Sequence, residues 1–255
     1  MKTSDNTILI TGGGSGIGRA LAESFHARGN RVIIAGRRQA ALNEVTRANP
    51  GMASLVLDIE DPAAIRDFAT RLLQAHPALN VVIHNAGIMR AENVAGAPEY
   101  LPTAETTIAT NLLGPIRLTA ALLPHLQQQP AATIINVTSG LAFVPMAGFP
   151  TYCATKAALH SYTESLRYQL KDTNVEVLEL APPYVQTELI GAFQASDPRA
   201  MPLKAFIDES LQLLSATPTP AEILVAPVRP LRFAAQSGNY ESFYQSFNAA
   251  MAAPH

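Results

Sequence analysis

Thr7-Ile8-Leu9-Ile10-Thr11 runs directly into Gly12-Gly13-Gly14-Ser15-Gly16-Ile17-Gly18, and the reading of this stretch decides the fold. The first five residues are a β-branched, apolar run of the kind that makes a buried strand. Residues 16–28 read as a helix, with Ala20, Leu21, Ser24 and Phe25 forming much of one face. A strand, a glycine turn and a helix in that order leave bare backbone N–H groups at a helix amino terminus, which is a site for a pyrophosphate. The glycines allow a tight turn, close approach to phosphate and close helix–strand contact. The spacing is Gly12-x-x-x-Gly16-x-Gly18, which departs from the G-x-G-x-x-G fingerprint. A flexible glycine loop is the plain alternative, and the flanking strand and helix argue against it.

Working outward, a second apolar run at 31–35 ends in Gly36-Arg37-Arg38. In a dinucleotide-binding unit the end of this strand meets the adenosine ribose. A carboxylate there binds the 2′-hydroxyl of NAD, and an arginine accommodates the 2′-phosphate of NADP. No Asp or Glu occurs until Glu44, and a guanidinium grips phosphate bidentately. NADP(H) is therefore the expected cofactor and NAD(H) the second choice. The alternative is that both arginines sit on a solvated helix start.

Further strands are expected near 53–57, 80–84, 132–138 and 174–180, with helices near 38–48, 62–75, 103–127 and 151–171. Alternation of this kind predicts a Rossmann-type, doubly wound parallel sheet in a three-layer α/β domain. At 255 residues the chain suits one domain spanning 1–255. Asn85-Ala86-Gly87 ends the apolar run Val81-Val82-Ile83, where open α/β sheets bind ligands. A strand-ending turn uses the same residues. The proline-bearing stretch at about 188–220 is the least regular, and a cover over the substrate or a surface insertion both suit it.

Tyr152-Cys153-Ala154-Thr155-Lys156 places a phenol and an ammonium one helical turn apart, with Ser139 thirteen residues upstream. A positive charge favours the phenolate and lowers the pKa of a phenol. A tyrosine tuned in this way exchanges a proton with a carbonyl or alcohol oxygen. Tyr-x-x-x-Lys also occurs by chance in many soluble helices, so its weight comes from the glycine turn.

Together these features resemble the short-chain dehydrogenase/reductase family, over residues 7–189. The matching residues are Thr11, Gly12, Gly16 and Gly18, then Asp58, Asn85-Ala86-Gly87, Asn111, Ser139, Tyr152 and Lys156, in the family's order. Pro182-Pro183-Tyr184-Val185-Gln186-Thr187 resembles its Pro-Gly-x-x-x-Thr segment, and with Gly36-Arg37-Arg38 it is most similar to bacterial DltE-like oxidoreductases. The resemblance implies that Gly12, Ser15, Gly16, Ile17 and Gly18 hold the diphosphate, and that Asp58 and Ile59 sit at the adenine. It implies Tyr152 as proton donor and acceptor. Lys156 would lower the Tyr152 pKa and hold the nicotinamide ribose, and Ser139 would bond the substrate oxygen. Asn111 would hold a water that links Lys156 to solvent. Pro182, Val185 and Thr187 would lie at the nicotinamide. The resemblance also implies a homodimer or homotetramer joined through helices near 103–127 and 151–171. Two departures stand out. Pro183 replaces the usual glycine and loses a backbone donor, and the carboxyl end lacks the family's short seventh strand, offering instead an aromatic helix at 237–247.

Leu141, Phe143 and Phe149, with Tyr184, give the neighbourhood of Ser139 an apolar character suited to a hydrophobic ketone, aldehyde or secondary alcohol. Loop packing or an oligomer contact would use the same residues. The net charge of −2 with scattered basic residues gives no sign of nucleic-acid binding, and no apolar run approaches a membrane span. The single cysteine, Cys153, fits a reducing cytoplasm and reads as packing beside Tyr152. His26, His76, His84, His125, His160 and His255 show no metal-ligand spacing. The leading expectation is an NADP-dependent carbonyl reductase or alcohol dehydrogenase. The rival is a catalytically silent NADP-binding sensor or scaffold, and an epimerase or dehydratase on a related scaffold ranks lower.

Overall fold

In a computed structural model that describes residues 1–96 and 98–252, the opening strand becomes β1 (Thr7–Thr11), an interior strand of a parallel sheet. The other strands are β2 (Arg31–Gly36), β3 (Ala53–Val56), β4 (Val81–His84), β5 (Ala132–Val137), β6 (Val175–Leu180) and β7 (Glu222–Ile223). Their order is β3-β2-β1-β4-β5-β6-β7. The helices are α1 (Gly16–His26), α2 (Gln39–Ala48), α3 (Pro62–Ala75), α4 (Leu101–Ile108), α5 (Gly114–Leu126), α6 (Pro150–Gln169), α7 (Leu203–Leu214), α8 (Arg229–Arg232) and α9 (Tyr240–Ala252).

β1, β4 and β5 are buried along their whole length because helices cover both faces. Leu21 and Phe25 of α1 and Phe206, Ile207 and Leu211 of α7 pack on one face, against Ile8, Ile10, Ile34 and Ile83. Phe68 and Leu72 of α3 and Leu118 and Leu122 of α5 pack on the other, against Leu9, Ile33, Val82 and Ile134. Each such side chain contributes about 1.5–3 kcal/mol relative to exposure. The strand order reverses between β1 and β4, so the crevice at their carboxyl ends is the place for a ligand.

Three findings refine the sequence reading. A seventh strand exists, contrary to expectation: Glu222 and Ile223 pair in parallel with Glu179 and Leu180. Two residues between proline-rich flanks carry no period for a pattern search to find. The helix expected at 103–127 is α4 and α5 joined by a π-helical turn, Ala109–Leu113. The extra residue of a π turn leaves apolar spacing nearly unchanged, and such turns are frequent at functional sites. Within 188–220, α7 is a core helix with Phe206 and Ser210 fully buried, so this part of the stretch is neither a loose cover nor a surface insertion. The aromatic carboxyl-terminal stretch is helical, as α9, with Tyr240 stacked on Tyr244 and Phe243 on Phe247. His255 lies outside the described residues.

Candidate active site

The glycine turn is built against the ends of β1, β2 and β4. Gly12 has φ +69, and a Cβ there would lie 2.9 Å from the Ala86 backbone. A Cβ on Gly18 would lie 2.4 Å from the Gly12 carbonyl oxygen and 2.3 Å from the Asn85 side chain. Glycine is thus required at 12 by conformation and at 18 by space. Thr11 Oγ1 accepts from the backbone N–H groups of Asn85 and Ala86 at 3.0 Å each, and Asn85 Nδ2 donates to the Thr11 carbonyl. Asn85 and Thr11 therefore lock β4 to β1 directly beneath the turn.

Ser15 stands at the α1 N-cap in extended conformation but makes no capping bond with its side chain. The first N–H groups of α1 stay available to an anion, favoured by the helix dipole. A cleft of about 190 Å³ opens there, lined by the turn, Gly36, Arg37, Arg38, Leu57, Ile59, Ala86, Gly87 and Thr110. Arg38 reaches toward Ser15 Oγ, at 3.4 Å. Arg37 instead pairs with Glu60, at 2.9 Å, and Glu60 also accepts from Thr110 Oγ1. Asp58 caps the following turn by accepting from the Glu60 N–H. The donors of the cleft suit a phosphorylated dinucleotide: uncapped helix N–H groups, two glycines where a side chain does not fit, and two guanidinium groups at the rim.

Ser139 leaves the carboxyl end of β5, and Tyr152 and Lys156 lie in the first two turns of α6. The three are 8%, 6% and 4% exposed, so the sheet edge and the helix bring them together in a nearly dry place. Ser139 Oγ accepts from the Leu141 N–H at 3.1 Å and lies beside the Tyr152 phenol. Lys156 Nζ donates to the Val137 carbonyl at 2.8 Å and stands 5.6 Å from the Tyr152 ring centroid. Asn111 sits in the π turn, where its amide clamps Ile88 in both directions: Nδ2 to Ile88 O at 2.8 Å and Ile88 N to Oδ1 at 2.9 Å. Asn111 Nδ2 also reaches Thr155 Oγ1.

Burial acts on both ionisable groups. Burial pushes the Tyr152 phenol above its usual range, and the neighbouring Ser139 hydroxyl only partly offsets this, so the net shift is upward. Burial also pulls Lys156 down, to about 8, against the attraction of Glu179. Desolvation outweighs the neighbouring charge because both groups are deep and the ammonium faces a backbone carbonyl. The phenol holds its proton at neutral pH and can donate a hydrogen bond. Cys153 is buried and pushed up to about 11, so it remains a thiol.

The remaining expected residues fall around this core. Thr187 abuts Gly16, where a Cβ would meet Thr187 Cγ2 at 3.6 Å, which brings the segment after β6 back to the turn. Pro182 accepts from the Gly140 N–H and ties that segment to the Ser139 loop. Val185 is buried and bridges to Met201. Tyr184 donates to Asp197 Oδ2 at 3.0 Å. Phe149 stands at the α6 N-cap, and Leu141 follows Ser139 in a short 3-10 turn. The Phe143 ring packs edge-on to His160 and beneath the Arg232 guanidinium. Glu60, Thr138 and Glu179 are not singled out by the sequence. Glu60 alone carried a signal, as the second residue after Asp58.

The family model described as short chain dehydrogenase matches residues 6–197. The uncharacterized oxidoreductase DltE of Bacillus subtilis is 46% identical over 189 residues, 74% of this chain and 75% of that protein. Among solved structures, a short chain dehydrogenase from Burkholderia cenocepacia in complex with NADP superposes with a TM-score of 0.80 at 24% identity, covering the whole of both chains. One from Burkholderia phymatum in complex with NAD gives 0.79 at 20% identity, covering 96% of each. These two likenesses carry the fold, while the family rests on the matched residues and the Bacillus relative. The chain belongs to the short-chain dehydrogenase/reductase family of NAD(P)-dependent oxidoreductases.

Proposed function

We propose that the protein is an NADP(H)-preferring carbonyl reductase or alcohol dehydrogenase, acting on a hydrophobic ketone, aldehyde or secondary alcohol, with Tyr152 as general acid and base. The observation that carries this reading is the buried convergence of Ser139, Tyr152 and Lys156 at the carboxyl edge of the sheet. A bound reduced nicotinamide supplies the hydride. Ser139 and Tyr152 donate hydrogen bonds to the carbonyl oxygen and stabilise its developing charge. The Tyr152 proton goes to that oxygen as the carbonyl becomes an alcohol, and oxidation runs the same transfer in reverse. Lys156 supplies positive charge beside the phenolate that remains, and Asn111 and Thr155 border the route by which a proton returns. Arg38, with Ser15, meets the 2′-phosphate; Arg37 is the secondary contact because Glu60 holds it.

Association of copies through α4, α5 and α6 is part of the same reading, supported by exposed Leu101 and Ile108 on α4, Leu113 on the turn that joins α4 to α5, and Tyr168 on α6. A reducing cytoplasm is the proposed setting, on the single buried thiol. No helix among the described residues is long and apolar enough to cross a membrane.

The test is consumption of NADPH and NADH in parallel across a panel of hydrophobic ketones and aldehydes. Turnover favouring NADPH supports the proposal. Tight NADPH binding without turnover on any carbonyl would favour the sensor or scaffold instead.

A further inference from the structure

The row Tyr152–Lys156 continues along α6 to His160 and Glu164, each one turn further on and on the same face. Opposite it, on β6, stands Glu179, a carboxylate with no exposed surface. Its Oε1 accepts from Thr138 Oγ1 at 2.6 Å and its Oε2 meets His160 Nδ1 at 2.8 Å. Thr138 immediately precedes Ser139. Glu222 of β7 is the register neighbour of Glu179, and Arg232 of α8 holds it with two bonds of 2.8 and 2.9 Å. The groups facing Glu179 are thus Lys156, His160 and Glu164 from α6, Thr138 from the end of β5, Glu222 from β7 and Arg232 from α8. His160, Glu179 and Glu222 lie close enough to suggest a metal triad, yet Arg232 already supplies the cation that Glu222 needs.

A carboxylate this deep is costly to bury unless its charge is used. We propose that Glu179 is a positioning residue for the active site. Through Thr138 it fixes the strand end that carries Ser139, and its charge is the counterweight that keeps the buried Lys156 an ammonium. The proposal rests on the reading of the site as a hydride-transfer centre. Lys156 donates to the carbonyl of Val137, whose chain neighbour Thr138 bonds Glu179 and whose other neighbour Asn136 is the register partner of Glu179, so the carboxylate and the ammonium are attached to adjacent residues at the end of β5. The low interior dielectric lets the charge act without a direct ion pair. The same cluster grips the substrate-side loop, since Phe143 is held between His160 and Arg232.

The sign follows directly. Burial lowers the Lys156 pKa and Glu179 raises it, so removing the Glu179 charge lowers it further. The ammonium is then lost at lower pH. The experiment is a titration of the lysine Cε resonances in ¹³C-labelled protein, which has four lysines, Lys2, Lys156, Lys171 and Lys204. Lys156→Met assigns the signal. Glu179→Gln keeps shape and removes charge, whereas Glu179→Asp keeps charge and changes shape. The expected result is a Lys156 midpoint about one pH unit lower in Glu179→Gln, a tenfold loss of ammonium at a given pH above it. The midpoint in Glu179→Asp stays near that of the wild type. The basic limb of the kcat–pH profile moves in step. An unmoved midpoint in folded Glu179→Gln, or a larger shift in Glu179→Asp, would overturn the proposal. Should Glu179→Gln not fold, His160→Gln decides: a midpoint equal to or above wild type supports the charge role, and a fall refutes it. The resonance titration needs no substrate, so failure of the reductase reading, visible as wild-type protein that consumes no NADPH, is distinguished from failure of this inference.

Discussion

Arg38→Ala should weaken NADPH and leave NADH almost unchanged. The two arginines at the end of β2 are not equivalent. Arg37 is in an ion pair with Glu60, the two side chains being 49% and 27% exposed. Arg38 has only a long contact to Ser15, at 3.4 Å, and lines the cleft. A hydrogen bond between a guanidinium and phosphate is worth about 1.5–3 kcal/mol, and solvent on one side takes it toward the lower end. At about 1–2 kcal/mol, Arg38→Ala costs roughly 5–30-fold in NADPH affinity. Arg37→Ala costs less, since in the wild type that guanidinium must share itself with Glu60. Glu60→Gln removes a partly exposed pair worth about 0–1 kcal/mol and frees Arg37, so NADPH binding tightens by up to about fivefold. The assay is titration of reduced-nicotinamide fluorescence for both cofactors, at one fixed ionic strength because the contact is screened by salt. Equal losses for NADPH and NADH in Arg38→Ala, or none for either, would refute the assignment.

Two further outcomes follow from geometry and burial. Gly18→Ala forces a methyl onto the Gly12 carbonyl, a backbone atom that cannot step aside. It should destabilise the fold by about 1–3 kcal/mol, read as a lower Tm, and weaken NADPH and NADH together because the whole turn shifts. His84 is buried against Thr119, with its pKa lowered to about 4 by desolvation. Between pH 6.5 and 4 the unfolded chain binds a proton that the folded chain refuses, so stability falls as pH drops through that window, by about 3 kcal/mol at its foot. Urea melts at pH 7 and pH 4.5 should show this loss in the wild type, and a smaller one in His84→Gln; an equal loss in both would assign it elsewhere.

The parallel sheet was readable because β1, β2 and β4 are apolar, largely β-branched runs that end in a glycine or a polar turn. Thr7–Thr11 with the turn after it specified a strand, a crossover and a ligand site at once. β7 was missed because two residues carry no alternation; only their partners on β6 reveal them. The π turn around Asn111 was hidden for a related reason, since one inserted residue barely disturbs helical spacing. Arg37 and Arg38 looked alike in sequence and differ only through Glu60, which the fold brings alongside from the turn after β3. The i, i+4 spacing of Tyr152 and Lys156 reveals the neighbouring ammonium but not the depth at which both groups sit, and that depth sets the net direction of both shifts. Glu179 reads as an ordinary polar position in a strand; its total burial and its bonds to Thr138 and His160 are tertiary facts.

The central claim is that the Tyr152 hydroxyl moves the proton. Its most direct test is Tyr152→Phe, with NADPH binding and carbonyl reduction measured on the same sample. The account predicts a Kd for NADPH within about threefold of wild type and a kcat lower by ~10²–10⁴-fold, the usual contribution of a positioned acid–base group. Turnover at the wild-type rate in Tyr152→Phe would contradict it.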